Sequence, residues 1–442
     1  MNRIRTTFLA ALLGGALLLG NAAAQEKDLL LCWAAENPPA DALAELSKDF
    51  TARTGINVRL NLLDRWRRIE DPPYNRPLRC DLYIGDNKWI GGSAENGHYV
   101  KLNEFFDKNG IKMSDFVEAS VTGYSEWPKH TPNYYALPAM GDAVGWVYRK
   151  DWFARPDLQA EFKKKHGRVL APPKTWTELK EIAEFFQGRI IDGKTVYGAA
   201  IYTDRLSEGI TMGVTSALYA WGFQYEDPKK PYRMDGFVNS KDAVEALKFY
   251  KSLYKCCTPP RHTNAYAAES LDAYKSGQVA MQMNWFTLFP GIANDPEVGG
   301  AKSGFFVNPS QKVAASTLGG QGISVVAYSN QRENALQYIK WFTQAEVQKR
   351  WLVLGGFSCH KAVLFDPGFP KSTPFAAEYL KAMTGAKGFW QEPIYATLML
   401  DMQRRIHDHV VADKGTAKEA LDLLLKDWTK DLKEAGKIGA SQ

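Results

Sequence analysis

Aromatic and polar residues occur together at several places where the sequence predicts that a strand ends. The chain carries 13 Trp, 20 Tyr and 22 Phe, and Trp33, Asp86 and Trp89 lie at or just after short apolar runs. An aromatic ring can cover the apolar C–H face of a sugar, while carboxylates and amides hydrogen-bond its hydroxyls. These residue types therefore indicate a carbohydrate site, although core packing is the ordinary role of any single Trp. Three tryptophans that fall within helical patterns are assigned to the core: Trp176, Trp341 and Trp428.

One stretch matches a nucleotide-binding motif in its letters but not in its setting. Residues 188–195, GRIIDGKT, fit the pattern G-x-x-x-x-G-K-T of a phosphate-binding loop. Such a loop must follow a strand and open a helix, so that backbone N–H groups face the phosphates. Here a predicted helix precedes it and a predicted strand, 196–201, follows it, so we interpret Asp192 and Gly193 as a tight turn.

Motifs of common enzymes and metal sites are absent from the sequence. It contains no C-x-x-C, H-E-x-x-H or G-x-S-x-G, and Cys256 and Cys257 are adjacent rather than spaced to chelate one metal. We therefore assign no catalytic residue, no metal ligand and no cofactor. A glycosidase-like pair of carboxylates stays open as an alternative, because the distance between such groups is spatial and not sequential.

The elements that must position these residues alternate between strands and helices, a pattern typical of parallel sheets covered by helices. Residues 29–34, 56–62 and 80–85 predict strands, and 41–53 predicts a helix with apolar residues at helical spacing. Thr175 and Glu178 form a predicted capping box at the start of a helix that ends at Gly188. Further helices are predicted at 242–254, 270–276, 330–342, 345–354 and about 416–435. A single core stops growing near about 250–300 residues, so the 442 residues predict two lobes.

The N-terminus predicts export. Arg3 and Arg5 precede a small and apolar run, 8–20, that is too short for a spanning helix of about 20 residues, and its small-residue end predicts cleavage between Ala24 and Gln25. We therefore expect a periplasmic protein. The formal net charge of +6 becomes +4 once both arginines are removed. The charges are interspersed in sign, which argues against a nucleic-acid partner.

Five cysteines permit disulfides in an oxidising compartment and leave one thiol over. Five choices of the unpaired cysteine and three pairings of the others give 15 patterns, among which the sequence does not choose. A bridge between Cys32 and Cys80 follows if their predicted strands are neighbours. Alternatively, both are small buried hydrophobic residues.

Several stretches in order along the chain resemble the family of extracellular solute-binding proteins that serve carbohydrate importers of the ATP-binding-cassette (ABC) type, the family of the maltose-binding protein. Among them are LPAMGD at 137–142, WVYRKDWF at 146–153 and PKTWTEL at 173–179. Others lie at 269–286, 318–324, 335–342 and 352–360. The chain departs from the family's pattern at Trp146 and Arg149, where Tyr and Asn are common, and in its five cysteines. These departures put the ligand in doubt more than the fold.

The resemblance implies an α/β periplasmic-binding-protein fold, with two lobes, a ligand cleft and three hinge crossovers near 140–144, 317–322 and 355–361. After a signal peptide at 1–24, we expect an N-terminal lobe of 25–141 plus 321–357. The expected C-terminal lobe is 142–320 plus 358–442. Loops after parallel strands face such a cleft, and the expected ligand contacts are Trp33, Glu36, Asp86, Trp89, Asp142, Tyr202, Asp204, Trp285, Gly320, Gln321, Phe357, Trp390 and Tyr395.

The resemblance also implies partners and a role. We expect a monomer that captures a sugar or polyol without chemistry and delivers it to the membrane permease of an ABC importer. The scaffold alone does not decide the ligand. A polyamine or metal carrier and a secreted carbohydrate-active enzyme therefore stay open as alternatives.

Overall fold

A computed structural model describes residues 28–33, 38–63, 79–206 and 208–439. The predicted signal peptide and Glu36 lie outside these ranges. The strands, numbered in chain order, are β1 (Leu29–Trp33), β2 (Val58–Leu62), β3 (Leu82–Asp86), β4 (Leu137–Arg149), β5 (Arg189–Ile191), β6 (Lys194–Ala200), β7 (Val279–Trp285), β8 (Ser303–Val307), β9 (Ser316–Val325) and β10 (Ala386–Lys387). The first three confirm the predicted strands to within two residues at each end.

The strands join in the order β2-β1-β3-β9-β4-β7-β6-β5, with β10 beside β9 and β8 beside β4. β1 pairs in parallel with β2 and β3, whereas β9 is antiparallel to both β3 and β4. β4 spans the junction, because residues 137–143 pair with β9 and residues 144–149 pair with β7 and β8. All 13 residues of β4 are buried.

The helices are α1 (Pro38–Thr54), α2 (Ile90–Glu95), α3 (Asn103–Asn109), α4 (Glu118–Tyr124), α5 (Lys150–Phe153), α6 (Pro156–His166), α7 (Trp176–Phe186), α8 (Gly209–Ala220), α9 (Lys241–Cys257), α10 (Ala267–Lys275), α11 (Pro290–Ala293), α12 (Arg332–Phe342), α13 (Ala345–Leu354), α14 (Lys361–Leu364), α15 (Ala376–Gly385), α16 (Tyr395–Val410) and α17 (Ala417–Glu434). Those predicted from the sequence are present, with ends that differ by a few residues. Within the described ranges, no helix combines the length and apolar character needed to cross a membrane.

The capping of α7 agrees with the prediction, except that Glu178 binds a different backbone N–H from the one expected in a capping box. Thr175 caps the helix by accepting a hydrogen bond from the Glu178 backbone N–H at 3.1 Å. The Glu178 carboxylate reaches back to Lys174 N at 2.7 Å, one residue before the cap. After α7, Asp192 and Gly193 both have positive φ and join β5 to β6 in a hairpin. The segment 188–195 therefore lacks the strand-then-helix setting of a phosphate-binding loop.

Two large apolar clusters form most of the core, and the first of them extends past the sheet junction to Ala200 in β6 and Val279 in β7. One contains Leu31, Ile84 and Ile323 from the β1, β3 and β9 side. The other contains Trp176, Val196 and Trp428 from the β6 and β7 side. All three tryptophans assigned to the core are buried, at 0%, 6% and 0% exposure for Trp176, Trp341 and Trp428.

The cysteines form two bridges. Cys32 in β1 is bonded to Cys80, which lies just before β3. Because β1 and β3 are neighbours in the sheet, this confirms the bridge predicted for cysteines on neighbouring strands. Cys256 and Cys257, at the end of α9, are bonded to each other. Cys359 is free and buried.

Candidate functional site

The carboxyl ends of β1 and β3 bring three predicted site residues together. Trp33 is fully buried and donates its indole N–H to the side-chain oxygen of Gln321. The Gln321 amide then donates to Oδ1 of Asp86 at 2.6 Å. This contact follows from the register of β3 and β9, in which Asp86 lies opposite Gln321.

A buried ion pair links the hydrogen-bonded residues Trp33, Gln321 and Asp86 to the β6 side of the sheet. The Lys88 ammonium lies 3.3 Å from Oδ2 of Asp86 and forms an ion pair with Glu208, which immediately precedes α8. The two side chains are only 4% and 9% exposed. Lys88 therefore joins a loop after β3 to a loop on the β6 side of the molecule.

Two aromatic residues complete the connection. The Tyr266 hydroxyl donates to Oε1 of Glu208 at 3.4 Å, and the Trp285 indole N–H donates to that hydroxyl at 3.0 Å. A Cβ on Gly319 would lie 2.5 Å from the Trp285 ring, so this close packing requires glycine. The linked network therefore consists of seven residues from six parts of the chain: Trp33, Gln321, Asp86, Lys88, Glu208, Tyr266 and Trp285.

The chemistry of the linked network suits a ligand that carries many hydroxyls. It offers indole faces, a phenol, an amide, two carboxylates and one ammonium, and most of these groups are buried or half-buried. Hydrogen bonds to charged groups contribute about 1.5–3 kcal/mol each. Aromatic contacts add about 0.5–1.5 kcal/mol beyond area burial.

Two crossover residues next to the linked network have structural roles. Gly320 in β9 has φ +81°, and a Cβ there would lie 2.3 Å from the Tyr124 hydroxyl and 2.4 Å from the Met140 carbonyl oxygen. Asp142 in β4 accepts hydrogen bonds from the Thr287 hydroxyl at 2.6 Å and the Thr287 backbone at 3.2 Å. Gly320 thus permits the close approach of β9 to β4, and Asp142 ties β4 to the turn that follows β7.

Asp142 should make stability depend on pH. Burial raises the pKa of its carboxyl to about 7, against the opposing hydrogen bonds from Thr287 and Ala143. Between the unfolded pKa near 4 and the folded value, only the folded state holds the proton, so stability is lost as the pH rises through this window. From pH 5 to pH 8 we expect a loss of about 2–3 kcal/mol that is absent in Asp142→Asn.

Urea unfolding of the wild type and Asp142→Asn at pH 5 and pH 8 measures this effect. Subtracting the two proteins at each pH cancels the other titrating groups, such as Glu392, whose pKa burial also raises to about 7. Parallel profiles for the two proteins would contradict the assignment to Asp142.

The comparison with known families decides the identity. The family model described as bacterial extracellular solute-binding protein matches residues 35–349. The chain belongs to this family. It is a solute-binding protein of the ABC-transporter class, and the extracellular character of the family implies that it is secreted.

Similar proteins have the same fold and are also solute-binding proteins. A probable ABC transporter-binding protein of Deinococcus radiodurans is 27% identical over 313 residues, which cover 69% of this chain and 68% of the relative. A maltose-bound protein of T. maritima has a TM-score of 0.72 at 20% identity, covering 90% of this chain and 98% of its own. A ribitol-bound solute-binding protein of Agrobacterium radiobacter has a TM-score of 0.71 at 20% identity, covering 90% and 97%. The predicted α/β periplasmic-binding-protein fold is thereby confirmed. These relatives are binding proteins rather than enzymes.

Other predicted contacts of this solute-binding protein lie near the linked network. Tyr202 packs edge-on against Tyr266 at 4.8 Å and donates to Asn284 at 2.8 Å. The Lys88 ammonium lies 5.1 Å from the centre of the Trp89 ring. Asp204 precedes α8, and its Oδ1 accepts a hydrogen bond from Leu206 N.

Three predicted residues are held elsewhere. Phe357, within the third predicted crossover, is buried and stacks on Phe375. Trp390 donates its indole N–H to Glu226 at 3.1 Å, and the Tyr395 hydroxyl lies 3.1 Å from that of Tyr225. Burial raises the pKa of Tyr395 well above its ordinary value, and the charge of Glu208 adds to the shift. The described hydrogen bonds and ring contacts of all three residues therefore lie outside the linked network.

Sequence reasoning missed Lys88, Glu208 and Tyr266. Lys88 stands between Asn87 and Trp89, in a loop that the sequence did select, and a cation flanked by polar and aromatic residues was a usable signal. Glu208 and Tyr266 are 58 residues apart. Their meeting depends on the tertiary fold and leaves no local pattern.

Proposed function

We propose that this chain is the substrate-capturing component of an ABC importer and binds a sugar or related polyol between its lobes. The lobes close on the ligand, and the closed form delivers it to the membrane permease. The protein acts in the periplasm after loss of its signal peptide, as a monomer, and performs no chemistry on the ligand.

The linked network is the observation that carries this proposal. It joins loops from both sides of the sheet junction through aromatic, carboxylate, amide and ammonium groups. A concave site with an aromatic wall and a few convergent polar groups is the usual form of a small-molecule site. The maltose-bound and ribitol-bound structures support a carbohydrate or polyol as the ligand class.

The proposed lobes are 25–141 plus 321–357 and 142–320 plus 358–442. Their support is the change of partner within β4, where residues up to 143 pair with β9 and residues from 144 pair with β7. Glycine at 141 and at 319, 320 and 322 suits a hinge that must absorb changes in φ and ψ.

A thermal-shift screen of the purified mature protein tests the proposed ligand class. The panel contains mono-, di- and oligosaccharides, polyols, polyamines and divalent metals, and calorimetry follows any response. A ligand at 100 times its Kd stabilises the folded protein by about 2.7 kcal/mol. A sugar or polyol that raises the melting temperature and is recovered unchanged supports the proposal. A response confined to polyamines or metals overturns the ligand class, and conversion of a glycan overturns the binding role.

Trp285→Ala should weaken binding of the ligand found in this screen at least tenfold, or by about 1.4 kcal/mol. The variant loses the ring face and the indole N–H that donates to Tyr266. Trp285 is only partly buried, so the circular dichroism spectrum should stay unchanged. Isothermal calorimetry gives the affinity, and Trp285→Phe, which keeps a ring face, should recover part of it. Unchanged affinity in Trp285→Ala would remove this residue from the site.

A further inference from the structure

Two cysteines at the end of α9 have no part in the proposed binding of a ligand. Cys256 and Cys257 are adjacent and joined as a disulfide. Cys256 is half-buried, whereas Cys257 is fully buried. Because the bridged residues are neighbours in sequence, this bond closes no long loop. The chain-entropy account of disulfide stabilisation therefore leaves it little structural role.

A third group lies beside the two sulfurs. The Glu184 carboxylate, on α7, and both Sγ atoms lie within 4.8 Å of one another. Within the described ranges, this is the one group of three His, Cys, Asp or Glu side chains close enough to share a metal ion. Glu184 is 46% exposed and its ion pair with Lys180 measures 3.5 Å. Such an exposed pair contributes about 0–1 kcal/mol, so the carboxylate is available to a stronger partner.

We propose that this cysteine pair and Glu184 form a redox-gated site for a thiophilic divalent cation. In the oxidised form each sulfur is committed to the other, so neither is available as a thiolate. A dithiol reductant supplies two electrons and two protons, breaks the S–S bond to give two thiols, and itself becomes a cyclic disulfide. The cation then displaces both thiol protons and binds two thiolates and one carboxylate.

The geometry and chemistry suit zinc. A tetrahedral zinc ion with Zn–S distances of about 2.3 Å separates its sulfur ligands by about 3.8 Å. The sulfurs must therefore move apart after reduction, and we expect Cys256, which is half-buried, to be the residue that rotates. Two thiolates and a carboxylate leave a fourth position for water. The spacing of the two cysteines alone does not indicate this site, because Glu184 lies some 70 residues before them in the chain, on a helix, α7, that packs against α9.

Zinc alone is the probe that tests this site. The full mature chain is reduced with dithiothreitol, desalted without oxygen and titrated with zinc against a chromophoric chelator. We expect the reduced protein to bind one zinc ion at least 100-fold more tightly than the oxidised protein. Cys256→Ala should abolish this binding, and Glu184→Gln should weaken it about tenfold. Both positions are partly exposed, so both variants should fold.

Two controls exclude the other thiols. Cys359→Ala removes the buried free thiol, and Cys32→Ala with Cys80→Ala removes the other bridge. Each of these proteins should keep the reduction-dependent zinc site. Equal zinc affinity in oxidised and reduced wild type overturns the proposal, as does full binding in Cys256→Ala. The sugar screen does not depend on this result, so either proposal can fail without the other.

Discussion

Replacing Lys88 with methionine should weaken ligand binding at least a hundredfold. Without the ammonium, the closed arrangement would bury the Glu208 carboxylate next to Asp86 with no cation between them. Removing one partner of a buried ion pair costs about 3–5 kcal/mol, and each 1.4 kcal/mol is about a tenfold change in affinity. In the proposed open form, Glu208 would return to water and this cost would be avoided. Calorimetry with the ligand from the screen measures the affinity, and small-angle scattering should show a larger radius of gyration.

Lys248→Met is the matched control for Lys88→Met. Lys248 also pairs with a glutamate, Glu245, at 3.1 Å, but the two side chains are 58% and 49% exposed. An exposed pair of this kind contributes about 0–1 kcal/mol, so ligand affinity should stay within twofold. If Lys88→Met also binds within threefold of the wild type, the ion pair does not form in the ligand-bound protein.

Removing the Cys32–Cys80 bridge should lower the free energy of unfolding by about 4 kcal/mol. The two cysteines are separated by 48 positions, and a loop of that length gives about this value in the chain-entropy model. Alanine at both positions removes the bridge without adding polar atoms to the buried Cys32 site. Urea unfolding at pH 7 measures the loss.

Alanine at both Cys256 and Cys257 is the matched control, because it removes the same number of sulfur atoms. A bridge between adjacent residues closes almost no loop, and the same model gives about 1 kcal/mol. A similar loss in the two double variants would mean that packing of the sulfurs, and not loop closure, determines the effect.

Much of the fold could be predicted from local patterns. The apolar runs at β1 and β3 and the cap at Thr175 each depend on residues within one element, so their spacing is visible in the sequence. The order of strands in the sheet is different. It depends on β4 and β9, which run antiparallel to each other across the junction. The local composition of these two strands does not indicate which strands they pair with.

Some residues of the candidate site could likewise be predicted from local patterns, whereas others depend on the tertiary fold. Trp33 and Asp86 are the last residues of parallel strands whose ends meet at one edge of the sheet. Ligands commonly bind at that edge, so both residues could be predicted from the sequence. Trp285 was selected through family resemblance, and its contact with Tyr266 emerges from the structure. Glu208 could not be predicted, because its partner Lys88 is 120 residues away in the chain. Phe357 lies in the predicted crossover 355–361, where its ring packs against Phe375 and Tyr379 and its carbonyl oxygen accepts a hydrogen bond from Gly141 N, and its contact with a ligand stays a prediction.

The burial of the Lys88 and Glu208 pair has a consequence for the medium in which the protein works. Mobile ions screen exposed charges beyond about 8 Å at physiological ionic strength, but they screen buried pairs much less. The contact between these two side chains, which are 4% and 9% exposed, should therefore keep its strength when external salinity changes. If the proposed ligand is an uncharged sugar or polyol, its affinity should therefore be nearly the same in dilute and in saline surroundings.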